Sequence, residues 1–396
     1  MEMAKKTKLK VKSEKLKFFN KIIPIVLLTV IIFNVGSVVW HQKGKYLSKD
    51  YWQRFPTLKK VYYDSIYANK KGGFIPDETI YSFNGGALIR GESPILVSPE
   101  VPPLGKYLIG LSAFLFNNEH IVILICSTFS LILLCLIGKQ IYSSVLIALF
   151  PPFFLSFEPI FLNQLRYTPL LDIIHLTFLL GSFYLFNLFL KSKKNSIFYA
   201  FLTSLFFGFF ISTKFFGLGI PLFLSFVLIL LMNKKFQKLK LFLASAPVSL
   251  SVLLLSYIRV LIIGYPLNKF LGIQKWVYWY NQGHLRLPFS VWSLILFNKW
   301  HTSWSTSVLS DPQWQSTWPL LTVASLTTII FYFFGKIKKR NEIEILMAWT
   351  VIYFLFLSFG DANARYFVIL MPIMYMVSIF GIKILIERLL KHENFD

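Results

Sequence analysis

The sequence predicts an all-α polytopic membrane protein, on three observations. Of 396 residues, 55% are hydrophobic and 18% aromatic, and the mean hydropathy is +0.60, well above the roughly half-apolar usage of soluble domains. The apolar residues fall in windows long enough to cross a hydrocarbon layer about 30 Å thick. The Lys and Arg behind the formal net charge of +23 sit mostly in short clusters between those windows. That pattern is unlike the single basic stripe of a nucleic-acid-binding face, so it implies a lipid bilayer as partner and no nucleic acid.

Apolar windows near 18–40, 120–137, 143–162, 169–190, 197–215, 216–233, 241–263, 319–335, 343–360 and 365–386 give about ten transmembrane helices. The first follows a basic flank and carries no small-x-small cleavage signal, so it reads as a retained signal anchor. The run after Pro103, "LGKYLIGLSAFLF", has 13 residues. At 1.5 Å per residue it spans roughly 20 Å, too short to cross.

Sidedness agrees with that exclusion, because basic residues in short loops mark the cytoplasmic side. If 104–116 lies along the membrane, the amino-terminal tail and the clusters "GKQIYSS", "KSKKNS", "NKKFQKLK", "GKIKKRNE" and "ERLLKHENFD" all share the cytoplasm. If it crosses, the internal clusters land outside. The predicted organisation is therefore a basic cytoplasmic tail over 1–17, a first transmembrane helix over 18–40 and a first outer loop over 41–119. A bundle of six helices over 120–263, a second outer loop over 264–318, three helices over 319–386 and a cytoplasmic tail over 387–396 complete it. Cys126 and Cys135 lie in one apolar run and form neither a disulfide framework nor a metal box. No fixed-period repeat and no Gly-rich phosphate loop is present.

Ionisable residues in or beside spans are costly and mark function by default. Here they are Glu158, Arg166, Asp172, His175, Lys214, Arg259 and Arg365, all toward the outer leaflet on this topology. A secondary transporter would place such charges near the midplane. Several cations around acids at one leaflet suit an anionic lipid headgroup such as a phosphate. Each residue also has a plain reading. Asp77 and Glu78 after Pro76 are ordinary first-turn acids of a helix. Arg166 and Arg365 could be interface anchors and Lys214 could snorkel, while Glu158 and Asp172 could form a structural pair with Arg166.

His175 follows Asp172 by one helical turn, a metal-holding spacing with no third ligand evident, and His301 joins no ligand-spaced set, so no zinc site is read. No cofactor is indicated with certainty; Asp77 and Glu78 together leave a divalent cation open. The second outer segment concentrates Trp276, Trp279, Trp292, Trp300, Trp304, Trp314 and Trp318. They form either an interfacial belt or, for one or two of them, a sugar-stacking surface.

Four stretches in order, "DETIYSFNGGALIRG" with "PEVPPLGKYLIGL", "NQLRYTPLLDIIHLTFLL", "GFFISTKFFGLGI" and "SDPQWQSTWPLL", resemble the protein O-mannosyltransferases and, more distantly, the bacterial aminoarabinose transferases. Both are C-type integral-membrane glycosyltransferases that use polyprenyl-phosphate sugars. The resemblance reaches across about 75–320. It implies that Asp77 is the catalytic carboxylate with Glu78 beside it, and that Arg166, Lys214, Arg365 and Arg259 are candidates for the donor phosphate. Asp172, Glu158 and Lys106 would support them, with Asp172 orienting Arg166, and His301, Trp314 and Trp318 are candidates to contact acceptor or sugar. It also implies that the Pro-Pro segment is a juxtamembrane helix. Val101 stands where the mannosyltransferases usually have His, Asp311-Pro312 stands at their His-Pro, and the large soluble insertion of the eukaryotic enzymes is absent.

The resulting expectation is transfer of a mannose-like hexose from a polyprenyl-phosphate sugar to an acceptor hydroxyl of a protein, lipid or glycan. The reaction is placed outside a prokaryotic plasma membrane, by inverting displacement with a carboxylate base. The rival is a transporter or flippase of lipid-linked sugars, which would need the phosphate site but no base.

Overall fold

The structure, a computed structural model, describes residues 2–68, 71–283, 287–301, 307–335, 337, 340–360 and 362–392, without the side chains of 2–21, 281, 282, 391 and 392. The side chains of the 1–17 tail, the end of the 387–396 tail and the lysines at 336, 338 and 339 lie outside the described residues.

The described chain is helical throughout, apart from paired two-residue strands β1 (Trp300–His301) and β2 (Val308–Leu309). Helix α1 (Glu2–His41) leads through α2 (Lys43–Tyr46) into α3 (Tyr51–Asp64). Helix α3 buries Tyr51, Phe55 and Tyr62, one stripe at helical spacing, and turns Lys59 and Lys60 outward. Next come α4 (Asp77–Ile89) and α5 (Leu104–Phe116). Helix α4 opens after Pro76, whose preset φ of −63° suits the entry, with Asp77 and Glu78 in the first turn at the positive end of the dipole. Helix α5 stops at Asn117, which takes a left-handed φ of 52°.

These two loop helices touch backbone to backbone. A Cβ on Gly110 would lie 2.2 Å from the Gly85 carbonyl oxygen, and one on Gly85 would lie 2.8 Å from the Gly110 nitrogen. Helix α5 also docks on the bundle: the Leu104 N–H donates to the Ser212 carbonyl at 3.0 Å, and Gly105 leaves room for only Leu171 and Thr213.

The bundle continues through α6 (Ile121–Tyr142), α7 (Val145–Ala148), α8 (Phe150–Leu155), α9 (Pro159–Arg166), α10 (Leu171–Lys191) and α11 (Ser196–Ile211). A 3-10 turn (Phe216–Leu218) then enters α12 (Gly219–Met232), followed by α13 (Phe236–Ser256) and α14 (Ile258–Ile262). Outside it lie α15 (Leu267–Gln282) and α16 (Ser290–Phe297), before α17 (Thr317–Phe333) and α18 (Asn341–Ser358). A 3-10 turn (Ala364–Val368) leads into α19 (Met371–His392).

Among the described residues, five helices are long and apolar enough to cross a membrane: Ile22–His41, Ile121–Tyr142, Leu171–Lys191, Phe236–Ser256 and Asn341–Ser358. The window expected as a straight span over 143–162 is instead broken, with a 63° bend between Val145–Leu155 and Pro159–Arg166. Prolines 151, 152 and 159 remove helical donors there. Counting that pair as one span gives six. The windows at 197–215 and 319–335 hold helices of 16 and 17 residues, roughly 25 Å long and short of the hydrocarbon thickness. The window at 365–386 opens as a 3-10 turn rather than as α-helix. Length and composition thus support fewer spans than the ten expected.

Helix α10 is the axis of the bundle, with 78% of its apolar window buried. Its Asp172 end and its Lys191 end differ sharply. At the Lys191 end, Lys238 donates to the carbonyls of Leu190 at 2.9 Å and Ser192 at 2.7 Å, and Arg340 and Lys383 donate to the carbonyls of Ile141 and Tyr142 that end α6. Lys238, Arg340 and Lys383 therefore gather at one end, where they satisfy orphan carbonyls of helix C-termini. Replacing Gly110 by Val should push α4 off α5, cost on the order of 1–3 kcal/mol, and lower both membrane abundance and the unfolding midpoint of detergent-purified protein; an unchanged midpoint would contradict the close packing.

Candidate active site

The opposite end of α10 carries four charged side chains delivered by four separate elements. Asp172 comes from the first turn of α10, Lys214 from the turn after α11, Arg365 from the 3-10 turn before α19, and Asp77 from the start of α4. Asp172 is the hub. Its Oδ1 accepts from Lys214 Nζ, and its Oδ2 accepts from Arg365 Nη2 at 2.8 Å and Nε at 3.3 Å. The remaining arm of the same guanidinium, Nη1, reaches Asp77 Oδ2 at 2.5 Å. Lys214 Nζ also stands 5.7 Å from the centre of the Tyr366 ring, within cation–π range.

Exposure grades along this chain. The Asp172 side chain is 4% exposed, Lys214 15%, Arg365 26% and Asp77 34%. An isolated buried carboxylate would be prohibitively costly, so a sealed Asp172 requires both cations. In turn it fixes both heads, which point toward the end where Asp77 opens to solvent. The local turn is held by Asn363, whose Oδ1 accepts from the Arg365 N–H at 3.0 Å.

The other sequence-derived candidates divide. Glu78, next to Asp77, lines a separate cavity together with Arg54 and Glu119. Arg166 is exposed and donates to Asn163 Oδ1 at 3.2 Å, so Asp172 orients Lys214 and Arg365, not Arg166. Glu158 pairs with no Arg among the described residues: it accepts from the Tyr375 hydroxyl and from Trp318 Nε1 at 3.3 Å. Trp318 is 1% exposed and stacks on Phe367 at 5.2 Å, which makes it a core wedge behind the Arg365 turn rather than an open sugar platform. Trp314 donates to the Ile295 carbonyl at 2.8 Å, and half-buried His301 sits in β1.

Arg259 donates to the Gly91 carbonyl at 3.0 Å. That is beyond the far end of α4, about 20 Å along the helix from Asp77 at 1.5 Å per residue. Lys106 is fully buried and clasps the carbonyls of Ser98 at 2.8 Å and Val97 at 3.3 Å, so it pins the 91–103 loop. Burial pulls its ammonium down to about 8 against the opposing pull of Glu100. His175 stacks on Phe210 at 3.9 Å, and no group of three or more His, Cys, Asp or Glu side chains stands ready for a metal among the described residues.

The sequence reading missed a second constellation in the first loop: Arg54 bridges Asp50 at 3.0 Å and Glu119 at 3.2 Å, with Ser82 donating to Glu119 at 2.9 Å. A lone acid immediately before a 22-residue apolar helix was its available signal.

Fold and site together define a polytopic helical membrane protein with a paired-charge centre at one end of its bundle. The model of the dolichyl-phosphate-mannose-protein mannosyltransferase family matches residues 100–258, which contain Asp172 and Lys214. Among solved structures, ArnT from Cupriavidus metallidurans in the apo state is similar over 78% of this chain and 54% of its own, at 12% identity and a TM-score of 0.55. ArnT from the same organism bound to undecaprenyl phosphate is similar over 78% and 56%, at 13% identity and a TM-score of 0.51. The chain thus spans about half the length of these structures. No curated protein sequence matches it. The chain resembles the protein mannosyltransferases and has an ArnT-like fold, the resemblance to C-type glycosyltransferases read from its motifs.

Asp172→Asn should leave Lys214 without its carboxylate and Arg365 with Asp77 alone, and cost about 3–5 kcal/mol, seen as a fall of roughly 5 °C or more in the unfolding midpoint in detergent. Exposed Arg166→Gln should move that midpoint by no more than about 1 °C. Equal effects would contradict the hub assignment.

Proposed function

We propose that the chain is a polyprenyl-phosphate-sugar-dependent glycosyltransferase, moving a mannose-like hexose to an acceptor hydroxyl with inversion. The observation that carries this reading is the Asp77–Arg365–Asp172–Lys214 relay, in which a sealed carboxylate holds two cations beside a solvent-reaching one. A phosphate site alone would need only the cations. The accessible carboxylate adds a proton acceptor, which a transporter of lipid-linked sugars does not require.

In the proposed reaction the acceptor hydroxyl gives its proton to Asp77 as its oxygen attacks the anomeric carbon. The bond from that carbon to the phosphate oxygen breaks, and its electron pair leaves with the polyprenyl phosphate. Negative charge grows on the departing phosphate, so Lys214 and Arg365 stabilise the transition state more than the ground state. Asp172 keeps both cations in place, which spares the reorganisation a solvated cation would undergo. Phosphate and Asp77 compete for the same guanidinium arm, so donor arrival would loosen Arg365 from Asp77 and leave the base free. Arg166 and Arg259 lie outside this centre, and Glu158 supports it through Trp318 and Phe367.

The mannosyltransferase family match and the similarity to an ArnT bound to undecaprenyl phosphate support a lipid-phosphate donor. A cytoplasmic amino terminus, about ten spans and a site at the outer face of a prokaryotic plasma membrane belong to the same reading. The sidedness is supported by Lys238, Arg340 and Lys383 at the far end of the bundle, and the span count by the apolar windows of the sequence alone.

Asp77→Asn should lower transfer from a polyprenyl-phosphate hexose by about 10²–10⁴, measured as radiolabelled product in membranes with matched protein abundance. Lys214→Gln should lower it by about 10²–10³. Undiminished turnover by Asp77→Asn would remove the base and with it the transferase mechanism.

A further inference from the structure

Two of the basic clusters in the sequence, "KSKKNS" and "NKKFQKLK", meet in space at the Lys191 end of α10. Lys238 joins them, donating to the Leu190 and Ser192 carbonyls where α10 stops. Helices α11 and α13 leave this corner side by side in the same direction: Ser245 donates to the Ala200 carbonyl at 3.3 Å, and four residues further along both helices Ser249 donates to the Ser204 carbonyl at 2.6 Å. The two loops thus bring seven lysines, all between residues 191 and 240, to the starts of two neighbouring helices. Three of the seven are spent. Lys191 pairs with Glu342 at 3.1 Å, Lys238 serves the carbonyls of α10, and Lys235 reaches the Leu190 carbonyl at 3.4 Å. Lys193, Lys194, Lys234 and Lys240 are exposed and make no ion pair among the described residues. The other described acids at this end are already engaged, Glu344 by Asn233 and Tyr332 at 2.7 Å each and Glu387 by Lys383 at 3.5 Å.

An uncovered apolar stripe begins directly at this cationic rim. Of the five helices able to cross a membrane, α13 is the least enclosed, with 17% of its apolar window buried against 78% for α10. Phe236, Leu243, Leu250 and Leu254 are all exposed, and their spacing of seven, seven and four residues keeps them on one face of the helix. From Phe236 to Leu254 the stripe runs roughly 27 Å at 1.5 Å per residue, close to the hydrocarbon thickness of a bilayer. On the neighbouring helix Ile197 and Phe198 are exposed as well. Free cations at one end and a long apolar stripe leading away from them complement an amphiphile with an anionic head.

We propose that this corner holds an anionic glycerophospholipid, its phosphate among Lys193, Lys194, Lys234 and Lys240 and its acyl chains along the α13 stripe. The site lies at the opposite end of the bundle from Asp77 and Asp172, so the inference does not depend on the transferase reading. Charge selects the lipid class: a choline lipid offers the same chains, but its phosphate is already answered by its own ammonium. Charge also argues against a second copy of the chain on this face. A two-fold contact here would set four unpaired lysines against four more. A bound lipid would instead neutralise them and join the 192–195 and 233–235 loops across the starts of α11 and α13.

The test titrates the delipidated full chain in dodecyl maltoside with fluorescent phosphatidylglycerol or phosphatidylcholine. Wild type should bind phosphatidylglycerol at least about tenfold more tightly, and the preference should shrink in about 0.5 M NaCl. The combined variant Lys193→Gln, Lys194→Gln, Lys234→Gln and Lys240→Gln should abolish it, whereas Arg at the same four positions should keep it. A control variant, Lys49→Gln, Lys60→Gln, Lys71→Gln and Lys275→Gln, removes the same formal charge from other exposed sites and should leave the preference intact. Equal losses in the two Gln variants overturn the proposal, as does a wild type that favours neither lipid. A photoactivatable phosphatidylglycerol with wild-type protein supplies a readout that needs no variant. Its cross-links should fall on α13 between Phe236 and Leu254, and labelling confined to other helices, or chain-to-chain cross-links at α13, overturns the proposal.

Discussion

A carboxylate sealed inside a helical membrane bundle is tolerable only with its charges answered, and Asp172 answers to two cations from distant parts of the chain. Desolvating such a group costs several kcal/mol, and only close, well-aligned partners offset it. The consequence is geometric: the turn after α11 and the 3-10 turn before α19 must both close onto the first turn of α10. Because Arg365 has an arm left over for Asp77, the same pairing ties the first loop to the bundle. One buried acid thus determines where three other elements end.

The remainder of the fold holds that closure in place from two sides. Glu158, taken by Tyr375 and Trp318, lies behind the Arg365 turn, and Trp318 presses on Phe367 within it. On the loop side, α4 and α5 meet at Gly85 and Gly110, while Lys106 gathers the loop carbonyls between them. Small residues permit the approach, and a buried ammonium compensates carbonyls that have no helical partner. Asp77 is therefore presented by a closely packed pair of helices.

Two neighbouring acids at the start of one helix diverge in use because successive helical residues point about a quarter-turn apart. Asp77 is drawn into the cation centre, while Glu78 is left to a cavity whose remaining ion pairs are internally closed. Local sequence marks both equally as first-turn acids. Their difference comes from what the loop over 41–119 and the bundle place on either side of α4.

Much of the architecture was legible without coordinates. Apolar windows, the short run after Pro103 and the basic clusters are properties of contiguous residues, set by hydrocarbon thickness and helix rise, and they mark α1, α5, α6, α10 and α18. The sequence also singled out Asp172, Lys214 and Arg365, because ionisable residues at span ends are rare and expensive, while Asp77 came from the motif resemblance. It could not decide their partnerships. Arg166 is six residues from Asp172 in the chain yet turns away to Asn163, whereas Arg365, 193 residues distant, supplies the guanidinium. Span count likewise shifted where prolines break 143–162 and where short helices rely on neighbours for burial. Residue type sets the cost of burying a charge, but which opposite charge arrives to offset it depends on long-range packing, and only the tertiary structure decides that.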